Sequence, residues 1–128
     1  MNRETLDKYI KEFYGVNPEF PWISAPTYAV YRHQNNNKWF AIIMEIPKVK
    51  IGIKEEGNIN VVNFKSDPLL IGSLIMDKGI YPAYHMNKNH WITVCLDGSV
   101  DEDKIQWLLD LSFELTSKLT RKKEVSQK

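Results

Sequence analysis

The sequence contains one cysteine, no long apolar run and almost no excess of charge of either sign. A single cysteine, Cys95, excludes an intramolecular disulfide, which is usual for proteins of a reducing cytoplasm. No apolar segment approaches the roughly 20 residues that a membrane-spanning helix needs, and the charged N-terminal segment shows no apolar stretch typical of a signal peptide. We therefore expect a soluble cytoplasmic protein that does not associate with membranes.

The net charge of +1 excludes attraction of nucleic acid by the chain as a whole. A polyanion could bind only where Lys and Arg side chains gather locally. The 128 residues are 43% hydrophobic and 26% charged, a composition typical of one folded globular domain. We place this domain at residues 1–120 and expect a polar C-terminal tail at residues 121–128.

Helical periodicity marks three segments. The first begins near the N-terminus, where Leu6, Tyr9, Ile10 and Phe13 recur on one predicted helical face, and Gly15 is a typical helix end. Asp67-Pro68 is typical of a helix start, and the sequence predicts that this second helix runs to Gly79. The apolar stripe of the last helix comprises Ile105, Leu108, Leu109, Ser112, Leu115 and Leu119.

Residues with high strand propensity predict a run of strands joined by short turns. The Asn35-Asn36-Asn37 segment is a strong turn signal because Asn tolerates the left-handed conformation, so segments 27–33 and 38–46 should form a hairpin. Within the second segment, strict alternation places Phe40 and Ile42 on one face and Trp39 on the other. Further strands are predicted at 49–54, 59–65 and 91–96, and residues 81–90 are predicted to be irregular or to form a short helical turn.

These elements together predict the fold class. Successive strands with short turns form an antiparallel sheet, and three amphipathic helices each need an apolar surface to cover. The predicted fold is α+β, a two-layer sandwich in which about five antiparallel strands are covered on one face by helices.

The segment Tyr84-His85-Met86-Asn87-Lys88-Asn89-His90-Trp91-Ile92-Thr93-Val94 closely resembles the signature of the MmcQ/YjbR family. Segments 63–68, 96–100 and 109–115 resemble the same family, whereas segment 20–26 matches no motif of it. The resemblance implies a frataxin-like (CyaY-like) fold. It also implies DNA binding through a double wing of β-hairpins, an expectation based on fold analogy.

Two groups of polar residues are candidates for contact with DNA. Basic side chains near the predicted hairpin tips could neutralise phosphates, and the segment around residues 85–90 offers imidazole, amide and ammonium groups. The alternative is structural, because lysines on edge strands prevent aggregation and polar side chains support turns. The candidates are Arg32, Lys38, Lys48, Lys50, Lys54, His85, Asn87, Lys88 and His90.

Three aromatic residues, Trp39, Tyr84 and Trp91, are candidates for stacking on a base or for lining a pocket. Together with Trp22 they support a second hypothesis, in which the chain is a protein-interaction or small-ligand-binding module with an aromatic cleft. The alternative is that these rings belong to the core. Rings that converge on an open cleft, with lysines dispersed elsewhere, would favour the second hypothesis.

Catalysis and metal binding are not predicted. His85 and His90 are separated by four residues and have no cysteine nearby, whereas a zinc site needs about four ligands. The first helix mixes acidic and basic side chains, so we expect no acidic iron-binding ridge of the frataxin kind. The sequence contains no glycine-rich phosphate loop and no nucleophile elbow. We therefore expect no enzymatic activity and no cofactor. The sequence leaves the oligomeric state open, with a monomer favoured.

Overall fold

The computed structural model describes residues 1–117, so Leu119 and the predicted tail 121–128 lie outside the described residues. The helices are α1 (Arg3–Tyr14), α2 (Pro68–Leu74) and α3 (Glu102–Ser117), and a short 3-10 helix spans Lys48–Ile51. The strands are β1 (Ala29–Arg32), β2 (Trp39–Pro47), β3 (Asn58–Lys65), β4 (Ile80–Pro82) and β5 (Trp91–Cys95). No helix within residues 1–117 is long and apolar enough to cross a membrane.

The five strands form one antiparallel sheet in the order β1-β2-β3-β5-β4. The helices pack on one face of this sheet, where Leu6 of α1, Leu74 of α2 and Leu108 of α3 join a cluster with Val62 and Ile92 of the central strands. The predicted α+β sandwich, with helices on one face of an antiparallel sheet, is therefore confirmed.

The helix ends follow local chemistry. Asn2 accepts a hydrogen bond from the Thr5 amide at 2.9 Å, and the Thr5 hydroxyl accepts one from the Asn2 amide, so the two residues form a capping box. At the start of α2, Asp67 caps the Leu69 amide and Pro68 occupies the first helical position, as predicted. The prediction that α2 reaches Gly79 is wrong, because the helix ends at Leu74 and the chain then turns.

The pairing of β1 with β2 changes the predicted faces of β2. Tyr31 pairs with Ala41 and Arg32 pairs with Trp39, so the register shifts by one residue and Phe40 has no partner on β1. Such an extra residue reverses the alternation of side chains beyond it. Phe40 therefore joins the helix-side core, while Trp39 joins Ile42 on the other face. The prediction that Phe40 and Ile42 share a face is wrong.

Two other segments differ from the sequence predictions. The prediction of a strand at 49–54 is wrong, because the chain forms the 3-10 helix Lys48–Ile51 there. The chain then turns at Gly52, whose φ of 89° lies in the left-handed region. The prediction that segment 81–90 is irregular or a short helical turn is wrong at its start, because Tyr81 and Pro82 belong to β4. Segment 49–54 has the apolar alternation of a strand, but no strand of the described sheet pairs with it, whereas β4 forms through its pairing with β5.

The second face of the sheet carries no helix but is apolar. Its buried residues are Val30, Ile42, Met44, Ile46, Ile59, Val61 and Cys95. Partly buried aromatic side chains from the loops before β1 and before β5 pack against them. This helix-free face is therefore covered in part by loops.

Candidate functional site

An open cleft of about 500 Å³ lies on the helix-free face of the sheet. Its floor is formed by Ile42 and Met44 of β2 and Asn63 of β3. The remaining lining comes from the loops before β1 and β5 and from the start of β2, and comprises Trp22, Ser24, Ala25, Tyr28, Trp39, Tyr84, His85 and Met86. Its volume lies within the range of typical small-molecule sites.

The aromatic walls of the cleft are nearly perpendicular to one another. The ring centroids of Trp22 and Trp39 are 5.6 Å apart with an interplanar angle of 87°. The Trp22 and Tyr28 centroids are 5.9 Å apart at 81°. Trp22 thus links the loop before β1 to the start of β2, through the edge-to-face geometry that aromatic pairs prefer.

A buried hydrogen-bond network holds the part of the lining that comes from the loop before β5. The Thr93 hydroxyl donates to Asn63 Oδ1 at 2.6 Å, and Asn63 Nδ2 donates to the Tyr84 carbonyl oxygen at 2.9 Å. The Tyr84 amide donates to Thr93 Oγ1 at 2.8 Å. Asn63 and Thr93 are fully buried, so these bonds satisfy polar groups that would otherwise be costly to bury. The network anchors the backbone of Tyr84 to the sheet.

His85 adopts a backbone conformation that is unusual for a residue with a side chain. Its φ is 61°, in the left-handed region, and its exposed ring lies with its centroid 3.9 Å from that of Tyr84. Such a conformation is less stable by about 1–3 kcal/mol and persists only where the surroundings impose it. The anchored Tyr84 backbone supplies that constraint on one side.

The cleft carries very little formal charge. Among the described residues that line it, none is Lys, Arg, Asp or Glu. Burial raises the pKa of Tyr28, and the neighbouring Tyr84 hydroxyl raises it further. The Tyr28 phenol is therefore neutral near neutral pH, and the walls offer ring faces, hydroxyls and two thioethers.

The predicted basic residues lie at two ends of the sheet. Arg32 and Lys38 flank the turn before β2, whereas Lys48, Lys50 and Lys54 follow its other end. Because β2 has nine residues, its ends are separated by roughly 26 Å at about 3.3 Å per residue. The two predicted wings therefore do not form one continuous basic patch.

Several of these cations have partners within the chain. Arg32 forms a two-pronged ion pair with Glu19, and Lys48 lies 3.0 Å from a Glu55 oxygen. Lys38 is exposed at the turn, where its amide donates to Asn36. Lys50 and Lys54 are exposed, and neither forms an ion pair with another residue of the described part of the chain.

The remaining candidates lie beside the cleft and mostly support a turn. Asn87 accepts a hydrogen bond from the Asn89 amide, and Lys88 Nζ donates to the Ala83 carbonyl oxygen. His90 is exposed, and its carbonyl oxygen accepts from the Ser66 amide. Trp91 is partly buried against the helix-free face but does not line the cleft.

The sequence model of the YjbR family matches residues 11–115. The chain belongs to the YjbR family. The Bacillus subtilis protein YyaQ is 39% identical over 116 residues, which cover 91% of this chain and 98% of YyaQ. The Escherichia coli K12 protein YjbR is 35% identical over 81 residues, covering 62% of this chain and 69% of that protein.

Two solved structures resemble this YjbR-family fold. A Pseudomonas syringae protein, solved by crystallography, aligns with a TM-score of 0.89 and 47% identity, covering 91% of this chain and 99% of its own. Deinococcus radiodurans protein DR2400 aligns with a TM-score of 0.69 and 25% identity, covering 91% of this chain and 79% of its own.

Metal-ligating side chains do not cluster in the described part of this YjbR-family chain. Within residues 1–117, no three His, Cys, Asp or Glu side chains gather closely enough to hold a metal ion. Cys95 is buried, and burial raises the pKa of its thiol to about 12, with a smaller contribution from Asp97. The thiol therefore stays protonated and acts as an apolar core group.

The sequence predicts part of the cleft of this chain. It predicts Trp22, Trp39 and Tyr84 as a possible aromatic lining, and all three line the cleft. It misses Asn63 and Tyr28. Asn63 carries a usable signal, since an amide inside the apolar run Val61-Val62-Asn63-Phe64 must find buried partners. Tyr28 carries none, because a tyrosine before a strand is common.

Proposed function

We propose that this chain is a non-catalytic small-ligand-binding module whose ligand occupies the aromatic cleft. One observation carries the proposal. Four aromatic side chains from three segments, Trp22, Tyr28, Trp39 and Tyr84, converge on one open cavity of about 500 Å³. A concave, mostly apolar site with a few polar groups is the usual form of a small-molecule site.

The geometry of the cleft supports binding more than catalysis. The buried Asn63–Thr93–Tyr84 network holds one wall in place, so little conformational freedom is lost when a ligand enters. The lining offers hydroxyls and an imidazole, yet none of its described members is a carboxylate that could orient His85 as a base. A preorganised aromatic surface is sufficient for recognition.

Binding of a neutral fluorescent probe tests the proposal. N-phenyl-1-naphthylamine should bind with one-to-one saturation, and Trp39→Ala should weaken binding about 30-fold. The reason is that truncating a central aromatic anchor typically costs about 2 kcal/mol. The matched control is Trp107→Ala. Trp107 lies exposed on α3, in the helix layer on the other face of the sheet, and its loss should leave the affinity unchanged.

Two outcomes would count against the cleft as a binding site. One is saturable binding that Trp39→Ala leaves intact, since the probe would then occupy another surface. The other is an equal loss with Trp107→Ala, which would indicate a general effect on the fold. Circular dichroism of each variant separates loss of binding from loss of structure.

DNA binding, which the family resemblance implies, is the second candidate function. The observation that favours it is local: Lys50 and Lys54 lie exposed in the connection between β2 and β3 without an ion pair within residues 1–117. A cation that is not already paired can neutralise a phosphate and release a counterion. Contact of this kind would be weakly specific for sequence and strongly dependent on salt.

Fluorescence anisotropy with a labelled duplex tests this second candidate. The variant Lys50→Ala with Lys54→Ala should weaken binding and flatten the dependence on salt, by about 0.9 in log–log slope for each phosphate that the variant no longer neutralises. The control is Lys8→Ala with Lys11→Ala, which removes the same charge from α1 in the helix layer. Absence of binding at low salt, or equal losses in both variants, would contradict DNA contact at this connection.

A further inference from the structure

We infer that the aromatic cleft recognises a trimethylammonium group carried by a small soluble molecule, an inference that rests on the proposed function and specifies its ligand. The shape, the electrostatics and the size of the cleft each point to this chemical class.

The shape of the cleft favours a compact group over a flat one. A flat ring binds best in a slot between two parallel walls. Here the walls meet at nearly right angles, because Trp22 makes interplanar angles of 87° with Trp39 and 81° with Tyr28. Perpendicular rings form a corner, and a roughly spherical group can contact both walls of a corner at once. A trimethylammonium group has this shape.

The electrostatics of the lining favour a cation that needs no hydrogen bonds. The face of an aromatic ring carries partial negative charge, and Trp gives the strongest attraction for a cation. Two Trp and two Tyr side chains lie in one lining together with the soft sulfur atoms of Met44 and Met86. Among the described lining residues no Lys or Arg opposes a cation, and no acid is present to prefer a primary ammonium through an ion pair.

The size of the cleft and its polar groups favour a free small molecule as the carrier. The volume of about 500 Å³ exceeds that of the trimethylammonium group alone, so a short polar chain can lie beside it. Ser24, Tyr28 and His85 provide hydroxyl and imidazole groups for that chain. Choline, which joins a trimethylammonium group to a hydroxyl through two carbons, is the simplest probe of this class.

A pair of isosteric ligands tests the inference. Choline and 3,3-dimethyl-1-butanol have the same shape and differ in the charge of the central atom. In a nitrogen-15 NMR titration, choline should shift the indole N–H signals of Trp22 and Trp39 and bind at least about 10-fold tighter than the butanol. The Trp107 signal, from the helix layer, is the internal reference.

The variant Trp39→Leu separates charge recognition from apolar contact. Leucine keeps an apolar wall but has no ring quadrupole, so choline affinity should fall about 10-fold while butanol affinity changes less. The inference is overturned if the butanol binds as tightly as choline, or if choline shifts the Trp107 signal alone. It is also overturned if choline binds only as the headgroup of phosphatidylcholine vesicles. N-phenyl-1-naphthylamine is then added to the same sample. If this probe binds, only the trimethylammonium inference fails, and if it does not bind, the proposed ligand-binding function fails as well.

Discussion

Replacing Phe40 by alanine is expected to lower the free energy of unfolding by about 3–5 kcal/mol. Phe40 is fully buried, and its ring lies among four others. The ring centroids of His33 and Phe113 are 5.1 and 4.9 Å away, and those of Tyr14 and Tyr31 are 6.0 and 6.5 Å away. Truncation leaves a cavity that these rings cannot fill, because Tyr14, Tyr31 and Phe113 are held in place by α1, β1 and α3.

Urea denaturation followed by circular dichroism measures this effect through the midpoint at constant slope. The matched control is Phe20→Ala, since Phe20 is 56% exposed in the loop before β1 and its loss should change stability by less than about 1 kcal/mol. If the two variants lose similar stability, Phe40 is not the centre of the helix-side core. Because small domains are stable by only about 5–15 kcal/mol, the expected loss is a large fraction of the total.

Replacing Gly79 by alanine should have the second large effect and lower the free energy of unfolding by about 2–5 kcal/mol. Gly79 has a φ of 86°, which L-residues adopt at a cost of about 1–2 kcal/mol. A β-carbon there would also lie 2.6 Å from a methyl of Val100 and closer still to the Ser99 hydroxyl. Neither neighbour moves easily, since Val100 is buried and the Ser99 hydroxyl donates to Asp97 at 2.6 Å. Overpacking therefore adds about 1–3 kcal/mol.

The same substitution at Gly72 should have the opposite sign. Gly72 lies inside α2, and a β-carbon added there would meet no atom within 4 Å. Alanine is favoured over glycine in a helix interior by about 1 kcal/mol, so Gly72→Ala should raise the denaturation midpoint. Equal effects of the two alanines on the urea midpoint would show that space and backbone conformation at Gly79 do not limit stability.

The stability effects and the candidate site are linked through Phe40. The register shift that buries Phe40 among the helix-side rings also turns Trp39 to the helix-free face, where it meets Trp22. A β2 strand without this irregularity would place Trp39 on the helix side with Ala41. The aromatic cleft thus depends on one extra residue in one strand, and the core and the cleft are built by the same local irregularity.

The sequence by itself determined the features that depend on neighbours a few residues apart. Local spacing or local hydrogen bonding accounts for the buried parts of the α1 and α3 stripes, for the Asp67-Pro68 start of α2 and for the turn after β1. The predicted stripes also include Phe13 and Leu115, but both are exposed. The family likeness also lay in the sequence, since residues 84–94 carry it as a continuous string. These signals sufficed for the fold class because helices and hairpins are stabilised first by local contacts.

Tertiary structure alone decided which residues share the candidate site. Trp22, Trp39 and Tyr84 come from three separate segments of the chain, and no local sequence pattern predicts that they line the same cleft. The tertiary structure also separates the basic residues near the start of β2 from those after its end. The length of β2 keeps these two groups roughly 26 Å apart. The physical reason is that strand pairing and register are set by contacts between distant residues. The irregularity at Phe40 therefore cannot be predicted from the sequence of β2 alone, because it is defined by the pairing of β2 with β1.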